Sequence, residues 1–303
     1  MAMEHPKKIL ITGATGLIGT RLSKMLFDRG YEVCHLTRKK KTHGTQSFVW
    51  SIDQHYIEPG AFAGVHTIVH LAGEGIADKP WTEERKAVLL ASRTKSTRLL
   101  YDELKLGNHK VKAVIAASGI NYYGVEDTGK PYREDDPAGP DYLAKLTQKW
   151  EAEEDRLAEL VRVCKVRTST VLSNKGGALP RLAETVKWYV GAPFGTGSQY
   201  MNWIHIDDLC SLYIWLIENE TLSGAFNAVA PNPVTNREFT QALGRVLKKP
   251  LWLPAVPEFV MKLLVGDMAY ILLKGGSASS EKIEQTGYKF KFPDLEEAIR
   301  AAM

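Results

Sequence analysis

The chain has 303 residues, 44% apolar and 24% charged, and its 39 basic and 35 acidic side chains leave a net charge of +4. That length is long for one compact domain and suits a nucleotide-sized core with a smaller lobe. Interleaved charge excludes the basic footprint of a nucleic-acid binder, and no low-complexity tract points to disorder.

The N-terminal MAMEHPKK lacks the long apolar region of a signal peptide, so export is not expected. Short β-branched runs then alternate with helix-period segments: the strand KKILIT, the helix LIGTRLSKMLFDRG, the strands EVCHLT and HTIVHLA, a long helix from about Glu83, and the strand VKAVIAAS. This rhythm predicts a Rossmann-type doubly wound parallel sheet in an α/β fold, with ligands bound beyond the carboxyl ends of the strands. A helix over about 141–160 buries Leu143, Leu146, Trp150 and Leu157, and CKVRTSTVL supplies another strand.

Beyond Pro180 the alternation loosens into a helix, the turn GAPFGTGSQ, the stretch NWIHIDDL and a helix to about Glu218. Thr235 and Glu238 have capping-box spacing and open a helix that ends before Pro250. The segment AVPEFVMKLLVGDMAYILL is interrupted by Glu258, Lys262 and Asp267, which predicts a buried or lid-like helix pair and no membrane span. The expected division is a nucleotide-binding core over 1–175, with later core elements within 200–230, and a smaller, mainly helical substrate-side and C-terminal lobe over 176–303. Cys34, Cys164 and Cys210 lie in apolar stretches without metal-ligand spacing and read as buried, reduced thiols of a cytoplasmic protein; no metal is expected.

Gly13, Gly16 and Gly19 stand at G-x-x-G-x-x-G spacing, directly after an apolar strand and at the mouth of an amphipathic helix. In that context the first glycine permits a tight turn, the second lets a pyrophosphate approach the backbone, and the third lets helix and strand pack closely. Thr15, Leu17 and Ile18 complete the loop and helix start, whose amides meet the phosphates. The second strand ends in Thr37 and Arg38, with Lys39, Lys40 and Lys41 following, where NAD-binding Rossmann folds often place an acidic residue. A guanidinium there pairs with a 2′-phosphate, favouring NADP(H) over NAD(H). The lysines read equally as a solvated loop.

The strand HTIVHLA leads into Leu71, Ala72 and Gly73, small enough to pass close to a cofactor. In the next helix Leu89, Arg93, Ser96, Leu100 and Leu104 share one face, so Arg93 needs a partner: a cofactor phosphate or ribose, or a buried carboxylate.

TGATGLIG, HLAGE, Ser92-Arg93, ASGINYYG, KWEAE, GTGSQYMNWIHIDDL, FNAVAP and TGYKF together resemble the extended or atypical short-chain dehydrogenases/reductases. The closest resemblance is to the NADP-binding "epimerase family protein" subgroup, whose bacterial members are often labelled cell-division-inhibitor-like and whose C-terminal segment forms its own module. The resemblance covers nearly the whole chain. It implies NADP(H), held at positions matching Thr37, Arg38, Leu71, Ala72, Arg93 and Val171, and supplies no substrate.

In that superfamily a tyrosine passes a proton to or from the substrate while a lysine four residues later lowers its pKa, and a serine or threonine after the fourth strand orients the substrate. Ser118 occupies the serine's location. The lysine spacing is missing: Leu146 stands four residues after Tyr142, and Lys145 three. Tyr142 and Lys145 form the candidate shifted pair, against the alternative that Tyr142 is a first-turn residue beside an Asp141 cap. Tyr101 with Lys105 and Tyr270 with Lys274 match the spacing but lie outside the expected helix. Tyr122, Tyr123 and His205 are further candidates, His205 equally a helix-start residue. The expectation is an NADP(H)-dependent oxidoreductase or epimerase-like enzyme for a small or nucleotide-linked polar substrate, with a non-catalytic NADP(H)-binding regulator as the alternative. Neither nucleic acid nor membrane is an expected partner, and the sequence does not fix an oligomeric state.

Overall fold

The computed structural model describes residues 7–40 and 44–303; the first six residues and Lys41 of the basic run lie outside the described residues. The chain runs β1 (Lys8–Thr12), α1 (Leu17–Asp28), β2 (Glu32–Thr37), β3 (Ser47–Ser51), β4 (Tyr56–Ile57), β5 (Val65–His70), α2 (Glu83–Lys105), β6 (Ala113–Gly119), α3 (Tyr142–Leu157) and β7 (Arg162–Thr168). It continues through β8 (Thr170–Leu172), α4 (Ala178–Lys187), β9 (Trp203–His205), α5 (Ile206–Glu218), β10 (Gly224–Ala228), α6 (Asn236–Leu247), α7 (Glu258–Val265), α8 (Ala269–Leu273), α9 (Glu281–Gln285) and α10 (Leu295–Ala302).

Eight strands form one sheet in the order β10-β7-β6-β5-β1-β2-β3-β4, parallel except for the β3–β4 pair. β1 reads as an unbroken apolar run because both its faces are covered. Ile9 and Ile11 pack with Leu22 and Leu26 of α1 and Leu209 of α5, whereas Leu10 packs with Leu99, Leu100 and Leu104 of α2 on the other face. Each such buried side chain contributes roughly 1.5–3 kcal/mol. β1 pairs with β2 on one side and β5 on the other, so the loops leaving β1 and β5 diverge from a reversal point in strand order, where a crevice opens.

The structure departs from the sequence reading in two places. The short strands β3 and β4 extend the sheet after β2, where no strand was expected. The run CKVRTSTVL is two strands: β7 stays in the main sheet, whereas β8 pairs with β9 in a separate two-stranded sheet. Ser169 marks the break, its amide and hydroxyl both donating to the Ala228 carbonyl. On α7 and α8, Met261 and Ala269 are buried but Phe259, Leu263 and Leu264 are exposed, so of the expected alternatives, a buried or a lid-like pair, the buried one does not hold.

A separate core beside β8 and β9 joins Leu179 of α4, Phe239 and Leu243 of α6, and Ala298 and Ile299 of α10. Cys34, Cys164 and Cys210 are buried, and burial pushes the Cys34 thiol up to about 12 and that of Cys164 to about 11. Among the described residues no helix is long and apolar enough to cross a membrane.

Candidate functional site

The loop leaving β1 is locked to the loop leaving β5. Gly13 has φ +65, and a Cβ there would lie 2.7 Å from the Leu71 carbonyl, so both conformation and space exclude a side chain. Oγ1 of Thr12 accepts from the Leu71 and Ala72 amides at 3.1 Å each and lies 2.8 Å from Nδ1 of His70. With its acceptor sites taken, the hydroxyl gives its proton to Nδ1, which leaves the ring proton on Nε2, facing the hydroxyls of Ser96 and Thr97 at 3.2 and 3.3 Å. Full burial holds His70 neutral, pushing its pKa down to about 4.

Gly16 holds the capping position before α1 and offers no side chain to cap it, so the first-turn amides at Leu17 and Ile18 are free to face an anion. A Cβ on Gly16 would meet only the Gly13 carbonyl oxygen, at 3.3 Å, and otherwise open space; one on Gly19 would strike that oxygen at 2.4 Å. Gly19 is therefore a packing glycine, whereas Gly16, like its exposed neighbour Thr15, borders room for a ligand. Val171 on β8 and Leu17 pack against the same buried cluster at the other side of this mouth.

At the end of β2 the Thr37 hydroxyl donates to the Lys39 carbonyl at 2.8 Å, bending the chain so that Arg38 projects. The Arg38 side chain is 84% exposed, and its nearest carboxylate, on Glu74, stands 4.0 Å away while pairing more closely with Arg85 at 3.1 Å. Arg93 lies beneath Gly73, whose missing Cβ would sit 3.4 Å from the guanidinium carbon. It donates to the Leu89 and Glu74 carbonyls at 3.0 and 2.9 Å and stacks 4.9 Å from the Trp150 ring centroid. Its Nε has no partner, and no carboxylate pairs with it among the described residues. The buried-carboxylate alternative thus has no support; burial pushes the guanidinium down to about 10, still charged at neutral pH.

The three catalytic candidates are not brought together. Ser118 is buried, and its hydroxyl donates to Oε1 of Glu151 at 2.6 Å. Arg167 clamps the same carboxylate through Nε and a terminal nitrogen at 2.8 and 2.9 Å, and also reaches the Tyr123 hydroxyl at 2.8 Å. Burial acts to raise the Glu151 pKa, but Arg167 and the Ser118 hydroxyl outweigh it and hold it below the ordinary carboxylate value. Ser118 is therefore part of a buried, charged brace. Lys145 is exposed and makes no hydrogen bond, ion pair or ring contact with Tyr142; the cation over the Tyr142 ring is Lys86, 5.3 Å from its centroid. The expected Tyr142–Lys145 pair is corrected accordingly.

Tyr142 follows the Asp141 cap, whose carboxylate accepts the Ala144 amide at 3.0 Å. Its ring leans on Trp81 with centroids 5.4 Å apart, and its buried hydroxyl has no hydrogen-bond partner. Burial raises its pKa, and Lys86 and Arg93 partly offset this. The Tyr123 hydroxyl donates to Asn227 at 2.8 Å, and the Tyr122 ring lies 3.5 Å under the Arg167 guanidinium carbon, so both serve the brace. His205 is itself the cap of α5, its Nδ1 accepting the Asp207 amide at 3.1 Å.

A cavity of about 170 Å³ opens beyond β6, walled by Ile120 and Asn121 on the core side, Thr170 at the start of β8, and Gln199, Leu272 and Lys274 from the later chain.

The family model described as "NAD dependent epimerase/dehydratase family" matches residues 9–228, most of the chain. The chain belongs to the NAD dependent epimerase/dehydratase family. A second model, described as "Domain of unknown function (DUF1731)", matches residues 256–302, beyond the epimerase match. Among relatives, the chain is 33% identical to the chloroplastic "Epimerase family protein SDR39U1 homolog" of Arabidopsis thaliana, over 99% of this chain and 88% of that protein. It is 31% identical to "Epimerase family protein YfhF" of Bacillus subtilis, over 96% of each. The crystal structure of human epimerase family protein SDR39U1 with NADPH superposes with a TM-score of 0.87 at 32% identity, covering 97% of this chain and 98% of that one.

As an epimerase/dehydratase family member the chain carries features that sequence reading missed. Thr12 and His70 pin the two cofactor-side loops together, though only the position of Thr12 at a strand end hinted at it. Gln199 and Lys274 line the cavity; Lys274 was visible in sequence only as half of a spacing match with Tyr270.

Proposed function

We propose that this chain binds NADP(H) in preference to NAD(H) and is an oxidoreductase or epimerase-like enzyme of the extended short-chain dehydrogenase/reductase type, acting on a small-molecule substrate. Arg38 carries the reading: an exposed guanidinium whose ion pair with Glu74 is long, at 4.0 Å, at the strand end where a 2′-phosphate would lie. The human relative crystallised with NADPH, and the uncapped start of α1 supports the same cofactor. Gly13, Thr15, Gly16, Leu17, Ile18 and Gly19 would cradle the pyrophosphate, Thr37 and Arg38 the adenosine end, and Leu71, Ala72, Gly73, Arg93 and Val171 the nicotinamide side. When bound, the nicotinamide supplies hydride transfer. Tyr142 would give or take the accompanying proton, with Lys86 and Arg93 nearby in place of the missing lysine. Residues 1–175 form the cofactor side and 176–303 the substrate side in this reading, with the cytoplasm as its setting.

Titration of the purified chain with NADPH and NADH tests the cofactor assignment. NADPH binds more tightly, and Arg38→Ala removes most of the difference, since a charge-assisted phosphate contact contributes roughly 1.5–3 kcal/mol. Equal affinities in the unmodified chain would sink the assignment. Loss of reduced-nicotinamide absorbance with carbonyl substrates then tests turnover. A second reading, a non-catalytic NADP(H)-binding regulator, draws on the burial of Ser118 and the exposure of Lys145; sustained substrate-dependent turnover overturns it.

A further inference from the structure

α4 and α6 share the core beside β8 and β9, and their C-terminal ends emerge together. Leu251 closes the junction: a Cβ on Gly191 would lie 3.2 Å from its side chain, and one on Gly244 3.1 Å. Beyond it the surface is aromatic. Trp188 is 75% exposed and Trp252 69%, and Tyr189, Val190 and Leu253 are exposed with them. The Tyr189 and Trp252 rings stand 6.2 Å apart, so the two segments form one patch. A lone exposed apolar side chain is ordinary, whereas five in two abutting turns mark an interaction surface.

Charge indicates what the patch faces. Lys187, Lys248 and Lys249 stand in the same two segments and make no ion pair among the described residues. Lys249 instead donates to the Tyr189 hydroxyl at 2.7 Å, with its Nζ 4.3 Å from the ring centroid. Between Thr185 and Tyr200, and again between Phe239 and Pro257, the sequence has no Asp or Glu. Arg245, the remaining base there, is taken by Glu296 at 2.6 Å, and Glu184 lies a full turn back on α4. The backbone is strained at the same place. The chain leaves α4 through Tyr189 at φ +60 and α6 through Lys248 at φ +53, a region that favours glycine. Glycine at either position would relieve the strain, yet each carries a side chain that joins the patch. Strain retained in this way collects at functional surfaces.

We propose that this patch seats the protein on an anionic bilayer surface, the two tryptophans entering the headgroup region and the three lysines facing lipid phosphates. Tryptophan and tyrosine favour that region because one end of each ring is apolar and the other wet. Lysines beside them are drawn by the negative potential of a cytoplasmic leaflet. Contact is with the surface alone, since among the described residues no helix is long and apolar enough to cross. A second copy would set the same three lysines against these, like charge on like, which disfavours self-association through this face. The inference is independent of the cofactor and substrate readings.

Flotation of the full chain with vesicles of phosphatidylcholine, alone or with about one-third phosphatidylglycerol, tests it. The chain binds the anionic vesicles about tenfold or more tighter than the neutral ones, binding weakens as salt rises, and tryptophan fluorescence shifts to the blue. Trp188→Ser and Trp252→Ser each lower binding about tenfold through lost apolar burial. Lys248→Gly separates recognition from folding. It keeps or raises the thermal midpoint, because glycine suits the turn at φ +53. Its vesicle binding falls about fivefold, the worth of one lysine near an anionic surface. A merely structural role would move the two together. NADPH affinity in solution is unchanged in all three variants. No binding to anionic vesicles, equal binding to both kinds, or full binding in both tryptophan variants overturns the proposal. So does a dimer in solution that those variants dissociate, which would make the patch a contact between copies.

Discussion

Ser118 donates its hydroxyl proton to Oε1 of Glu151 at 2.6 Å, on the same oxygen that accepts Nε of Arg167 at 2.8 Å. Ser118→Ala therefore removes one bond from a buried charged brace and lowers unfolding stability by about 1–3 kcal/mol, as hydrogen bonds to charged groups do. NADPH affinity stays near that of the unmodified chain. Urea melts and a cofactor titration check both. A variant of unchanged stability but crippled turnover would return Ser118 to the reacting atoms.

Gly16→Val separates ligand space from protein packing. The backbone of Gly16 has φ −75 and ψ 175, which any residue adopts, and its missing Cβ faces open space apart from one carbonyl oxygen. The variant keeps its far-ultraviolet circular dichroism and loses NADPH binding. Gly19→Val, which would drive a side chain into the backbone of Gly13 and Ala14, unfolds or aggregates instead. A folded Gly16→Val chain with normal NADPH affinity means that the phosphates lie elsewhere.

Tyr142→Phe lowers turnover by about 10² or more at unchanged NADPH affinity, the usual worth of a general acid. Lys145→Met, at an exposed position without contact to Tyr142, leaves turnover within about twofold, because surface substitutions of this kind disturb little. Steady-state kinetics with hydride transfer rate-limiting decides both. Full activity in Tyr142→Phe makes Tyr142 structural.

His70 makes stability depend on pH with a definite sign. Its folded pKa of about 4 lies below the ordinary 6.5, so the unfolded chain takes up a proton first as the solution is acidified. The stabilisation is complete above the unfolded pKa and falls as pH drops from about 6.5 towards 4, by roughly 2 kcal/mol at pH 5. Urea melts at pH 7.5 and 5 show this loss, and His70→Asn has a smaller one. An identical pH slope in the variant refutes the assignment.

The parts of this molecule written in adjacent residues were legible. The three glycines, the βα rhythm and the Thr235–Glu238 capping box are local, since each depends on neighbours a few positions away. The bond that ties up Ser118 was not legible, because its partner Glu151 is 33 residues on, across a helix–sheet contact that no spacing reports. CKVRTSTVL was read as one strand because β-propensity does not register a change of sheet at Ser169. Lys145 lay at an acceptable helical step from Tyr142, but packing turned it to solvent and brought Lys86 from another helix to the ring. Whether α7 would be buried or lid-like stayed open in the sequence, since apolar composition alone does not say which side is covered.

The three bonds gathered on Thr12 Oγ1 have a consequence for how a dinucleotide is received. One hydroxyl holds the end of β1, the amides of Leu71 and Ala72, and the imidazole of His70, so the two rims of the crevice form a single rigid piece before any ligand arrives. A receptor assembled in advance spends little of its binding free energy on ordering its own loops. Recognition at this mouth is thus a docking of shapes already made.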